Sequence, residues 1–423
     1  MMKKVCVLTA ILLALTVTAR ANPPRAMRAY VIVQTNGGGV IEQLVARPSG
    51  MLVPLRFRGD VGSLASWTLA PGRSVRTLSA PGTILATPNG KFLYVAGCSA
   101  RERSEEIAAY RIDGKNGLAH PLGAPVRLEN CLTGNDAPYQ TMVMDRSGNA
   151  LFALGGTTSD AASVRSIVHV HSFSIAADGR LVPTGSVQIP HYEAASYLTL
   201  DSSGTGLFFA GLPTYGTGSI RLQALQVSAD GTLTPGTSIA FSHTNAISIT
   251  GLIANPVSPM LYAAKYSLSA ADLGTTHIIQ IAIGADGSLL ATPSAPIHGA
   301  LSATSGSVSS ESLAIAPSGR ALYIMGSKIG FIPLRPDGTP AAPARATSAK
   351  LYQPQMLAFA PSGRFLYDMD GSGGFMGAPA IFVFRVAPNG NVSIDKACIG
   401  GGPNQVQFCG RTPVRTGAIV FVP

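Results

Sequence analysis

One local pattern recurs along nearly the whole chain and decides what it can fold into. A short apolar strand runs into a tight turn, and a second apolar strand leaves it towards an aromatic residue. The plainest copy is Met356-Leu357-Ala358-Phe359-Ala360-Pro361-Ser362-Gly363-Arg364-Phe365-Leu366-Tyr367. Five more copies align on it. They are Ile84 to Val95 around Pro88-Asn89-Gly90, Met142 to Phe152 around Arg146-Ser147-Gly148, and Leu198 to Phe209 around Ser202-Ser203-Gly204. Ile253 to Tyr262 and Leu313 to Tyr323 complete the series. Each reads as two antiparallel strands, A and B, because Pro, Ser, Asn and Gly supply the turn geometry that joins them.

A second series interleaves with the first. Alternating strands such as Ile107 to Ile112, Val168 to Ile175, Leu222 to Val227, Ile278 to Ile283 and Ile381 to Val386 run into two-residue turns. These turns are Ser49-Gly50, Asn116-Gly117, Asp178-Gly179, Asp230-Gly231, Asp286-Gly287, Asp337-Gly338 and Asn389-Gly390. Such dipeptides favour tight hairpins, here joining strands C and D. The spacing of the turns is roughly 40–60 residues, the period of propeller blades.

There are seven C–D hairpins but six A strands. The chain opens on an unmatched B strand, Ala29 to Val33, and closes on an unmatched A strand, Gly417 to Val422. The two leftovers complete one another. The expectation is an all-β, seven-bladed β-propeller of four-stranded antiparallel blades, a single domain over residues 22–423, closed by the C-terminal strand joining the N-terminal blade. Radial repetition of this kind protects strand edges that an open sheet would expose. The A–B and C–D turns are expected at one end of the ring, and long B–C and D–A connections at the other. Loops of the second kind are where binding and catalysis concentrate.

The first 21 residues read as a signal peptide. Lys3 and Lys4 precede an apolar run from Val5 to Val17, and Ala19-Arg20-Ala21 forms a small-x-small cleavage site. The run is too short for a comfortable membrane span, and no later segment is long and apolar enough for one. The expected address is therefore extracytoplasmic, periplasmic or secreted. Loss of Lys3, Lys4 and Arg20 takes the formal charge from +10 to +7. The remaining cations are scattered without aromatic interleaving, which argues against nucleic acid as a partner. Charged residues are only 12% of the chain, so Ser, Thr, Gly, Asn and Gln must carry the polar surface.

The exported chain retains Cys98, Cys131, Cys398 and Cys409. An even count in an oxidising compartment predicts two disulfides. Of three possible pairings, proximity favours Cys98–Cys131 and Cys398–Cys409, both at the long-loop end. There is no CxxC spacing with a nearby His, and neither a metal nor any other cofactor is expected.

The Pro-Ser-Gly-Arg-Phe-Leu-Tyr turn, the Asp-Gly hairpins and the closing strand together resemble the lactonase-type seven-bladed propellers with YVTN-type repeats. That family includes bacterial 6-phosphogluconolactonases and muconate-lactonizing relatives. The resemblance runs from about Arg28 to Pro423 and implies a hydrolase acting on a lactone. In that family His, Arg and Glu side chains gather at the mouth of the central channel, several arising just before the A strands. The equivalent positions here, six residues before the Pro of each turn, are Gly82, Gln140, Ser196, Thr250, Glu311, Gln355 and Gly417. None is Arg or His, so the family's catalytic set does not carry over.

Two readings follow. In the first, the chain is a lactonase-like hydrolase of a sugar-type lactone, with Glu311 as general base and His191 with Glu193 as an acid–base pair. In the second, it is a non-catalytic propeller that binds a glycan or a protein partner. Under either reading Gln140, Ser196, Thr250 and Gln355 line the mouth and suit a small polar ligand, and Arg415 is the one cation beside them. A closed ring of this kind is expected to act as a monomer. His169 and His171, at strand spacing, are expected as a surface or inter-blade pair rather than metal ligands. Gly371 to Gly377 is followed by a strand and lacks the Lys-Ser/Thr of a phosphate loop. No Ser-His-Asp arrangement and no HExxH is present.

Overall fold

The computed structural model describes residues 27–35, 38–50, 52–54, 75–78, 80–99, 104–130, 141–157, 167–189, 192–213, 219–242, 247–267, 275–290, 297–302, 313–325, 328–350, 354–370, 380–397 and 415–422. These residues form strands and turns, with no helix among them. Seven antiparallel sheets stand in a ring, and the protein is a seven-bladed β-propeller.

Blade 1 takes its inner strand A from the C-terminus (Arg415–Val422), then B (Met27–Thr35) and C (Gly38–Ala46) from the N-terminus. The register Arg28↔Val422 to Gln34↔Arg415 is the closure that the leftover strands implied. The inner strands of blades 2 to 7 are Ala80–Ala86, Met142–Met144, Tyr192–Leu200, Ile247–Ala254, Leu313–Ile315 and Pro354–Phe359. Each touches the next, and the last touches the closing strand, so the seven enclose the axis. In blades 1 and 2 the outer strand is split, into Leu52–Pro54 with Val75–Arg76 and Ala119–Pro121 with Val126–Asn130.

Strand alternation sends side chains to both faces of every blade, and both faces are covered. Seven apolar clusters result, one in each gap between neighbouring blades. Tyr30 and Ile41 of blade 1 meet Ile84 and Val95 of blade 2, for example, and Ala29, Val31 and Leu44 on the other face meet Tyr367, Met369 and Ile381 of blade 7.

At the short-turn end, one position near the start of each B strand is aromatic: Tyr30, Tyr94, Phe152, Phe208, Tyr262, Tyr323 and Tyr367, all fully buried. Five are tyrosines, and each hydroxyl donates to the carbonyl of the C–D turn glycine in the following blade. The bonds are Tyr30 to Gly117 at 2.7 Å, Tyr94 to Gly179 at 2.8 Å, Tyr262 to Gly338 at 2.6 Å, Tyr323 to Gly390 at 2.9 Å and Tyr367 to Gly50 at 2.8 Å. These contacts bring the two kinds of tight turn to one end, as the loop lengths implied. The acceptor must be glycine on two counts. Gly50 has φ +85°, and a Cβ there would enter the ring of Phe365 in blade 7.

The expectation of long B–C connections holds in part. In blade 1, two residues, Asn36 and Gly37, link Thr35 to Gly38, and in blade 6 residues 325–327 link Ile324 to Lys328. Asn-Gly is itself a hairpin dipeptide, which the repeat pattern obscured. The long-loop end is therefore built unevenly around the ring.

Candidate functional site

Each inner strand begins at the long-loop end and runs towards its A–B turn. Near that beginning, five of the seven break register in the same way. Pro81 and Thr83 pair with the consecutive residues Gly97 and Ala96, which leaves Gly82 as an extra residue. Ser196 is extra between Ala195↔Gly211 and Tyr197↔Ala210. Thr250 is extra between Ile249↔Lys265 and Gly251↔Ala264, and Gln355 between Pro354↔Asp370 and Met356↔Met369. In the closing strand Gly417 and Ala418 together stand opposite Ile32 alone. Ala418 is buried between blades 1 and 2, so Gly417 takes the extra place.

These are β-bulges, and a bulge takes one residue out of the pairing ladder and re-aims the chain. The positions aligned in sequence by counting back from the turn thus coincide in space, at one height around the channel mouth. The inner strands are also stitched to one another, beside the bulge in blade 2 and near the A–B turn in blade 4. Thr83 accepts a bond from the Thr141 amide at 3.2 Å, joining blades 2 and 3, and Thr199 accepts from the Ala254 amide at 3.2 Å, joining blades 4 and 5.

Of the residues singled out from sequence, Ser196, Thr250 and Gln355 share this level. Glu193 lies in the same inner strand as Ser196 and is the extra residue of a second bulge, between Tyr192↔Pro213 and Ala194↔Leu212. Arg415 opens the closing strand opposite Gln34, two residues before Gly417. Gln140, His191 and Glu311 lie outside the described residues. So do Cys131, Cys398 and Cys409, while Cys98 sits near the end of strand B in blade 2, paired with Glu105 of strand C.

Of the two placements expected for His169 and His171, surface or inter-blade, the structure shows the inter-blade one. Their rings lie 6.0 Å apart at 70°, and a Cβ on Gly155 would meet the His171 imidazole and Leu128 of blade 2 together. Among the described residues no three His, Cys, Asp or Glu side chains gather closely enough to hold a metal ion.

The sequence pattern missed a set of buried acids. Glu42 in strand C of blade 1 is 3% exposed, and its Oε1 has no hydrogen-bond partner. It stands opposite Val31, in the face that packs on blade 7, and burial pushes its carboxyl up to about 7. Glu105 is the second residue of strand C of blade 2 (Ser104–Ile112); burial first, and the neighbouring Glu106 charge second, push it to about 7 as well. Asp368 in strand B of blade 7 is fully buried. All three stand on B or C strands, outside the inner ring. Glu42 breaks an apolar run, Val40-Ile41-Glu42-Gln43-Leu44, and that break is the one signal that marks it in the sequence.

No protein-family model matches the chain, and no curated protein does. Solved structures do. A protein from Lactobacillus plantarum superposes with a TM-score of 0.62 at 14% identity, covering 94% of this chain and 100% of that one. At this identity the likeness shows the fold and nothing finer. Sqt1 from Chaetomium thermophilum (TM-score 0.44, 12% identity, 74% of this chain and 70% of that one) and the Pyrococcus horikoshii acylaminoacyl peptidase (TM-score 0.45, 9% identity, 88% and 51%) match less well and carry no argument. No helix among the described residues is long and apolar enough to cross a membrane.

Proposed function

We propose that the long-loop mouth of this propeller binds a small, neutral, polyhydroxylated ligand, a saccharide or a sugar-type lactone. The observation that carries this reading is the shared bulge. Five blades spend an irregularity at one level of the inner ring, and the residues placed there are Gly82, Ser196, Thr250, Gln355 and Gly417. Bulges gather at barrel rims and beside active sites, where they re-aim side chains. Hydroxyl and amide groups recognise hydroxyls without the charge that a phosphate would require.

A second reading, hydrolysis of the lactone, draws on the bulge at Glu193, which puts a carboxylate position on the same strand as Ser196. A carboxylate at Glu193 or Glu311, or the imidazole of His191, would take a proton from water as it attacks the lactone carbonyl. The ring ester bond then breaks to release a hydroxy acid. The protein would act outside the cytoplasm after removal of residues 1–21, as a monomer braced by disulfides Cys98–Cys131 and Cys398–Cys409.

The test is a screen of purified protein against neutral monosaccharides for binding and against sugar lactones for hydrolysis, with Gln355→Ala, Thr250→Ala, Glu193→Gln, Glu311→Gln and His191→Ala in parallel. Binding weakened by the first two changes supports the mouth. Turnover lost in the glutamate or histidine variants supports catalysis. Turnover untouched by all of them would place the chemistry elsewhere.

A further inference from the structure

The five bulge residues are not alike. Gly82 and Gly417 carry no side chain, and they belong to adjacent blades, 2 and 1. A glycine inside a strand has three ordinary explanations: a left-handed backbone, tight packing against a neighbour, or the close approach of a ligand or another chain. The first fails for Gly82, which is not among the glycines of positive φ. The second fails too. Among the described residues, a Cβ at Gly82 would meet a single atom, the Ala96 carbonyl oxygen, at an ordinary 3.9 Å. At Gly155, by contrast, a Cβ would press on the His171 Nε2 at 2.9 Å. Glycine within a strand costs about 0.5–1 kcal/mol relative to alanine, and nothing among the described residues requires it here.

The third explanation fits the place. An extra residue in a bulge has backbone groups outside the ladder, and glycine leaves them uncovered. Resting on the reading that the mouth binds a saccharide, we infer that the Gly82–Gly417 sector is the seat of the sugar ring. There the sugar hydroxyls exchange hydrogen bonds with bare backbone N–H and C=O groups. Ser196 and Thr250, on blades 4 and 5 across the ring, belong to the opposite wall. Gly82 is then a specificity-determining residue through the space it leaves.

The experiment compares Gly82→Ala and Gly82→Phe with the full-length wild type and with Gly114→Ala, at the far end of blade 2, where an added Cβ would meet none of the described residues within 4 Å. Thermal unfolding reports the fold. Saturation-transfer NMR with D-glucose, D-galactose and N-acetyl-D-glucosamine reports binding. The expected result is unfolding temperatures at or slightly above wild type for both Gly82 variants, transfer weakened in Gly82→Ala and abolished in Gly82→Phe, and no change in Gly114→Ala. A Gly82→Phe protein that melts well below wild type, or that binds as well as wild type, would overturn the assignment of this sector and leave the mouth reading standing. Wild-type protein that shows transfer to none of the three sugars would overturn the mouth reading itself.

Discussion

The hydroxyl of Tyr367 donates a 2.8 Å hydrogen bond to the carbonyl of Gly50, 317 residues away in sequence. It joins blade 7 to blade 1 at the short-turn end, beside the closing strand. Four other tyrosines make the same bond to the blade that follows them, so closure of the ring uses the device that holds its ordinary joints.

Tyr367→Phe should therefore cost what Tyr94→Phe costs, about 1–3 kcal/mol, because each leaves a buried carbonyl without its donor. Urea unfolding of the two variants checks this. A much larger loss at Tyr367 would mean that the closing joint bears more than its share.

Blades 3 and 4 carry Phe152 and Phe208 where the others carry tyrosine. Gly231 is the C–D turn glycine of the blade that follows Phe152, and it has positive φ, as the five acceptor glycines do. Phe152→Tyr is expected to gain the missing bond and about 0.5–1.5 kcal/mol of stability. A drop in unfolding temperature would show that the phenol oxygen finds no acceptor there. The phenols stay donors throughout the working range, since burial pushes Tyr30 and Tyr262 up to about 12.

The buried acids set a pH dependence. Burial pushes the carboxyls of Glu42 and Glu105 from an ordinary 4.5 up to about 7 in the folded chain. Between these values the folded chain holds more protons than the unfolded chain, so stability falls as pH rises from about 4.5 to 7 and has lost its full increment above 7. At about 1.4 kcal/mol per unit, each group accounts for roughly 3 kcal/mol. Glu42→Gln should raise the unfolding temperature at pH 8 and flatten its dependence across pH 5–8. Scanning calorimetry that finds identical profiles for the variant and wild type would contradict the burial of this carboxyl.

Gly50→Ala should be among the most damaging single changes, at about 2 kcal/mol or more, because it adds strain at positive φ to a collision with the Phe365 ring. Gly114→Ala should be close to neutral. Chemical denaturation of the pair separates these outcomes directly.

Deleting residues 415–423 would uncover the edge of strand Met27–Thr35, whose Tyr30, Val31 and Ile32 are fully buried in the intact ring. The truncated chain is expected to associate in a concentration-dependent way, since an apolar unpaired edge recruits other strands. Light scattering and sedimentation would read this. A monomeric truncation with wild-type melting would refute the closure as a stabilising element.

The ring itself was legible because it is written in local terms. Each turn carries its own Pro-Ser-Gly or Asp-Gly, and the unmatched ends at Ala29 and Ile419 could be counted. The level of Gly82, Ser196, Thr250 and Gln355 was legible as a distance from the turn. That the level is a bulge was not, because register belongs to a pair of strands and one strand's residues do not reveal it. Glu42 and Glu105 stayed hidden for a related reason. What covers Glu42 is a neighbouring blade, and gaps between blades are filled by residues far apart in the chain. The short connection at Asn36-Gly37 is hard to see in the sequence because Gly37 merges with Gly38 and Gly39.

The bulges carry one more consequence. A residue in regular alternation answers to the core on one side or the other, and its identity is constrained by what it packs against. An extra residue stands outside that alternation. The five bulge positions are therefore a keyboard mounted on a fixed frame: each can be exchanged singly, and ligand preference can be rewritten, while the seven inter-blade cores stay as they are.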